Sequence, residues 1–139
     1  MTNTAATSGR NWWSIGLWVV QVLLALAFGA AGVMKAFTPI VDISTQMAWV
    51  AATPDWLVRF IGFAEIAGAL GMILPAATRI LPWLTPLAAL GLTVIQVLAI
   101  GLHATRGETA MTLPVNLVLL ALSLFVAWGR WRKAPIAPR

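Results

Sequence analysis

Hydrophobic positions in this chain do not alternate with polar ones; they gather into four long runs broken by short polar stretches. The first run is WWSIGLWVVQVLLALAFGAAGVM, from Trp12 to Met34. The second spans Trp56–Leu74, the third Trp83–Leu102 and the fourth Leu113–Gly129. Each approaches or exceeds the roughly 20 helical residues that cross a bilayer's hydrocarbon core. In lipid, backbone polar groups must be paired within the segment, so continuous apolar runs predict helices, whereas barrel strands would need short alternating segments. The pattern therefore predicts an all-α, four-transmembrane-helix bundle with spans at about 12–36, 56–74, 83–103 and 112–129.

Local signals set the ends. Thr53-Pro54-Asp55 precedes the second run, with Thr53 as a cap, Pro54 at the first helical position and Asp55 at the positive helix end. Pro75 is expected to stop that helix. Thr112 is the expected cap of the fourth, with Pro114 in its first turn. The first run is longer than the usual signal-peptide apolar core, and no cleavage site stands out, so it is read as a retained span. Residues 1–11 are expected to form a disordered tail, 12–130 the membrane domain and 131–139 a basic tail. The long connection between spans one and two places Ile40, Ile43, Met47 and Val50 at three- and four-residue spacing. That spacing predicts a short amphipathic helix at the membrane interface, with a plain loop as the alternative.

Composition narrows the class. Of 139 residues, 60% are hydrophobic and only 9% charged, against about 25% charged in a soluble domain. The net charge is +5, but the cations are too few and too near the ends to track a nucleic-acid backbone. An even number of spans puts both termini on one side. That side receives Arg10, Arg79, Arg130, Arg132, Lys133 and Arg139 with no acid. The other receives Lys35, Arg59 and Arg106, offset by Asp42, Asp55 and Glu108. The positive-inside rule then places both termini in the cytoplasm, in a bacterial inner membrane. Trp12, Trp13, Trp83, Trp128 and Trp131 would ring the inner boundary, and Trp49 and Trp56 the outer one; Trp18 fits neither. The chain has no cysteine, which excludes disulfides, thiolate metal sites and cysteine nucleophiles, and no complete metal set is visible.

One residue stands out. Glu65 is the only charged residue between Phe60 and Pro75, and it lies roughly 13 Å along the helix from Trp56. A bare charge at that depth costs from about 2.5 to over 10 kcal/mol, depending on the scale. Gly62, Gly68 and Ala69 share its face, so this face is expected to pack on another helix. Lys35, Arg59, Gln96, His103 and Asn116 all belong to the non-cytoplasmic half, and Gln21 is alone in the inner half. Three readings of Glu65 stand: a polar tie between helices, the centre of a small pocket open to the non-cytoplasmic side, or a contact to a partner subunit. His103 alone reads as an interfacial histidine and Lys35 as either a snorkelling anchor or the Glu65 partner.

Three stretches carry a resemblance: GAAGVMKAF at 29–37, GFAEIAGALGMILP at 62–75 and IGLHATRGE at 100–108. Across about residues 15–130 the chain resembles the DoxX-like small four-helix membrane proteins. The resemblance aligns that family's helix-one lysine with Lys35, its helix-two glutamate with Glu65 and its helix-three histidine with His103. It implies an accessory or ligand-binding membrane protein or a quinone-linked oxidoreductase subunit using those three residues; the intramembrane glutamate by itself also leaves a small transporter open. Quinone is the cofactor it admits; haem on a lone His103 is disfavoured. The partners expected are membrane lipids, another copy of the chain, a membrane redox protein or a small hydrophobic ligand.

Overall fold

The computed structural model describes residues 11–139, and among them the fold is all helical. The helices are α1 (Trp12–Phe37), α2 (Ile40–Gln46), α3 (Ala48–Ala51), α4 (Asp55–Thr78), α5 (Leu84–Thr105) and α6 (Thr109–Trp128). A π-helical turn over Gly129–Lys133 continues α6. Four of these segments are long and apolar enough to cross a membrane: α1, α4, α5 and α6 with its π turn. Neighbours run antiparallel: α1 packs chiefly on α4, α4 on α5 and α5 on α6, with a slighter contact closing α6 against α1. The bundle thus has a terminal end, holding Asn11 and the C-terminal segment, and a loop end, holding α2, α3 and the α5–α6 turn.

The apolar pattern is turned outward as well as inward. Leu17, Leu24 and Phe28 of α1 meet Ala69 and Met72 of α4, Ala89 and Leu92 of α5 and Val126 of α6 in the core. Val19, Leu23, Leu26, Phe60, Phe63, Leu98 and Val115 are exposed on the outside. Water would not tolerate so continuous an apolar surface, while acyl chains are an adequate solvent for it.

Several ends differ from expectation. Asn11 is not tail: its side chain accepts a 3.2 Å hydrogen bond from the Ser14 backbone N–H and caps α1, while residues 1–10 of the expected tail, Arg10 included, lie outside the described residues. Thr53 does not cap α4; its hydroxyl donates to the Trp49 carbonyl at 2.7 Å, and Pro54 itself precedes the first helical residue, Asp55. Pro75 does not stop α4. The helix runs on to Thr78 and ends at Arg79 in the left-handed conformation (φ 60°), whose N–H closes on the Pro75 carbonyl at 3.0 Å. A proline only a turn from the end sacrifices one ladder bond, and packing of Pro75 and Ala76 in the interior holds the last turn. α6 begins at Thr109, a turn before Thr112, because Gly107 (φ 72°) makes the reversal there; glycine takes that backbone without a Cβ clash. Thr112 instead donates its hydroxyl to the Glu108 carbonyl at 3.0 Å, and Pro114 lies inside α6.

The expected interfacial helix is a pair of short helices, α2 and α3. Ile43, Trp49 and Val50 pack with Val58 of α4 into a second small core, supported by Met34, Ile40, Met47 and Ile61. Trp49 is buried in this cap rather than lodged at a lipid boundary.

Candidate functional site

Two glycines set the geometry of the α1–α4 contact. A Cβ built on Gly62 would lie 2.6 Å from the Ala36 nitrogen and 2.8 Å from the Gly32 carbonyl oxygen; one on Gly32 would lie 2.7 Å from the Gly62 oxygen. The two backbones therefore touch, as small residues permit between membrane helices. Lys35 and Glu65 lie three residues beyond these glycines, each on its own helix. Helical side chains lean toward their own N-terminus. In antiparallel helices the Lys35 stem therefore leans toward mid-bundle and the Glu65 stem toward the loop end. They meet: Lys35 Nζ lies 2.9 Å from Glu65 Oε2 and 3.0 Å from Oε1. The residues are 7% and 4% exposed. Glu65 stands ten residues into α4, about 15 Å from its start, so this is a closed ion pair near mid-span.

Arg59 does not touch the carboxylate. It donates to the Lys35 carbonyl at 2.8 Å and the Thr38 carbonyl at 2.6 Å, and so satisfies acceptors that the end of α1 leaves open. Arg59 fixes the backbone from which Lys35 projects.

His103 is elsewhere. Its Nδ1 lies 2.9 Å from Glu108 Oε2, and Arg106 Nε donates to Glu108 Oε1 at 2.9 Å. This trio straps the α5–α6 turn. His103 is two residues from the end of α5, so it stands about 12 Å nearer the loop end than Glu65 by helical rise. The hydrogen bonds from His103 and then Arg106 hold the Glu108 carboxyl below its usual value of 4.5. The predicted cluster is thus divided: Lys35, Glu65 and Arg59 are joined, and His103 belongs to the turn.

Gln96 is 5% exposed on α5, and its Oε1 has no hydrogen-bond partner among the described residues. A Cβ on Gly68 would meet Leu92, so these positions face each other across α4 and α5. Moving one turn toward the loop end brings Gln96 and Glu65 to similar depth. Asn116 of α6 also has a buried Nδ2 without a partner among the described residues. Ala69, with Gly62 and Gly68, lies on the buried side of α4.

A second polar centre, at the terminal end, escaped the sequence reading, and Gln21 is not alone. Gln21 Nε2 donates to the Met72 carbonyl at 2.6 Å, and its Oε1 accepts from Arg130 Nε at 2.6 Å. Arg130 is 3% exposed. Its NH1 also donates to Ser14 Oγ (3.2 Å) and the Ala134 carbonyl (3.1 Å), and its guanidinium lies 5.6 Å from the Trp18 ring centroid. Trp18 thus faces a cation. The charge pattern along the sequence counts Arg130 only among the cations of the terminal side. The available signal was Gln21, a strong hydrogen-bonding group in an otherwise apolar span that needed a partner from another helix.

The fold and its paired intramembrane charges define a four-span integral membrane protein of the small helical-bundle class. A model of the DoxX-like family matches residues 19–126, and the chain belongs to that family. No curated protein and no solved structure matches it.

Proposed function

We propose that this DoxX-like protein is an accessory or ligand-binding protein of the bacterial cytoplasmic membrane, with both termini inside and a polar centre on Glu65 approached from the non-cytoplasmic side. The observation that carries the reading is the Lys35–Glu65 pair, the only ion pair between two spans among the described residues. Its two charges satisfy each other, so neither is poised as a free nucleophile; a ligand with polar groups would enter by exchanging for one partner. The unpartnered Gln96 oxygen at similar depth would offer such a ligand an acceptor. Charge supports this topology: Arg79, Arg130, Arg132, Lys133 and Arg139 gather at the terminal end with no acid among the described residues, whereas Lys35, Arg59 and Arg106 toward the loop end are offset by Asp42, Asp55 and Glu108.

The test is mass spectrometry of extracts, with optical spectra, from purified wild type and Glu65→Gln. A small hydrophobic molecule retained by wild type and depleted in the variant is expected; identical extracts from two folded proteins would refute ligand binding at Glu65. A reporter fused after Arg139 is expected to be active in the cytoplasm, and activity only outside would reverse the topology.

A second reading is a quinone-linked redox subunit, in which Glu65 and Lys35 exchange a proton. The hydrogen-bonded carboxylate and ammonium favour it, since such a pair can shift a proton over one contact; His103, held by Glu108, would act separately. A quinone as the molecule lost from Glu65→Gln would favour this version. A transporter is a third reading, and it requires Glu65-dependent solute flux in proteoliposomes.

A further inference from the structure

The terminal end carries a site of a different kind. Between α5 and the junction of α6 with its π turn lies a cleft of about 230 Å³, lined by Leu87, Leu90, Ala127, Trp128 and Trp131 and rimmed by Arg132. The lining is apolar and the rim cationic. The other basic side chains nearby are held: Arg130 by Gln21 and Ser14, Lys133 over the Trp13 and Trp128 rings at 5.5 Å, and Arg79 by the Ala137 carbonyl at 2.9 Å. Arg132 is exposed and has no hydrogen bond, ion pair or ring contact among the described residues. No acidic residue lies at this end among the described residues, so the field there favours anions.

We propose that this cleft holds one anionic phospholipid, its phosphate against Arg132 and part of one acyl chain against Leu87, Leu90 and Ala127. The volume suits a length of chain rather than a whole lipid, since pockets for drug-sized ligands start at about 300 Å³. Leu90 lies six residues into α5, about 9 Å below its start, so the chain runs from the cationic rim into the hydrocarbon, as a bilayer lipid must. The two exposed indoles fit the headgroup boundary that flanks it. Basic recesses between spans on the cytoplasmic side are a recurrent means of selecting anionic headgroups.

Native mass spectrometry of the detergent-purified full chain, titrated with phosphatidylglycerol or phosphatidylcholine, tests this. One phosphatidylglycerol per chain is expected to be retained, roughly fivefold better than phosphatidylcholine, the preference that about one basic contact supplies. Arg132→Gln should abolish most of that preference. Leu90→Trp, at a half-exposed position, should fill the cleft and lower retention of both lipids. Arg139→Gln removes a charge of the same sign outside the cleft and should change little. Equal retention of the two lipids would overturn the proposal, as would an equal loss in Arg139→Gln or displacement of the lipid by millimolar inorganic phosphate.

Discussion

At the residue scale, a buried carboxylate is tolerated only when its oxygens are paired. Glu65 has both oxygens on Lys35. Removing one member of such a pair leaves an uncompensated charge, which costs about 3–5 kcal/mol in a protein interior. Glu65→Gln keeps an acceptor for the ammonium, whereas Glu65→Leu keeps none. Thermal melts in micelles should therefore rank wild type above Glu65→Gln and Glu65→Leu lowest; equal melting of the two variants would contradict the assignment. Glu108 behaves differently because it faces water. Its folded-state pKa is depressed by His103 and Arg106, so its stabilisation is fully present above its unfolded value near 4.5 and is lost as pH falls through the lower folded value. Acid melts below about pH 4.5 should accordingly narrow the gap between wild type and Glu108→Gln. A gap unchanged down to pH 2 would mean that the turn does not depend on this carboxylate. Glu65 and Lys35 could be singled out in the sequence because charges are rare in apolar runs. The Glu108 bonds could not, since Arg106, Gly107 and Glu108 look like any polar turn until Gly107 folds it back onto His103.

At the element scale, span number and order follow from apolar run length, which lipid enforces. The ends were less legible. Pro75 and Thr53 each carry a strong local preference; interior packing overrode the first, and a local bond from the Thr53 hydroxyl back to the Trp49 carbonyl displaced the second. The α2–α3 cap was visible only as spacing; its burial of Trp49 and Val50 depends on Val58 from another helix. The α1–α4 crossing yields a sharper expectation. Gly62→Ala places a methyl within 3 Å of α1 backbone atoms, which have no rotamer to yield. It should lower stability by about 1–3 kcal/mol, as overpacking does. Gly91→Ala points into open space and should be neutral or gain up to about 1 kcal/mol from helix propensity. Comparable losses in both variants, read from denaturation in mixed micelles, would remove the crossing from the explanation.

At the scale of the whole molecule, the bundle is tied at two depths by different chemistry. Toward the loop end a charge pair joins α1 to α4. Toward the terminal end Arg130 and Gln21 join α1, α4 and the π turn without any carboxylate. The C-terminal segment adds a strap, with the Arg139 N–H donating to the Arg79 carbonyl at 3.1 Å. Arg79, one of the two left-handed residues of the α4–α5 turn, is thereby braced. Sequence shows that Gln21 needs a partner but not that the partner is Arg130, because the two lie more than a hundred residues apart and only the antiparallel closure brings them together. The claim on which the functional reading depends is that Lys35 and Glu65 interact inside the bundle. A double-mutant cycle of thermal stability over wild type, Lys35→Met, Glu65→Leu and the double variant measures that interaction. Each single variant should be clearly destabilised and the double variant should recover most of the loss, with a coupling of at least about 1 kcal/mol. Losses that add to within about 0.5 kcal/mol would show that the two side chains do not meet.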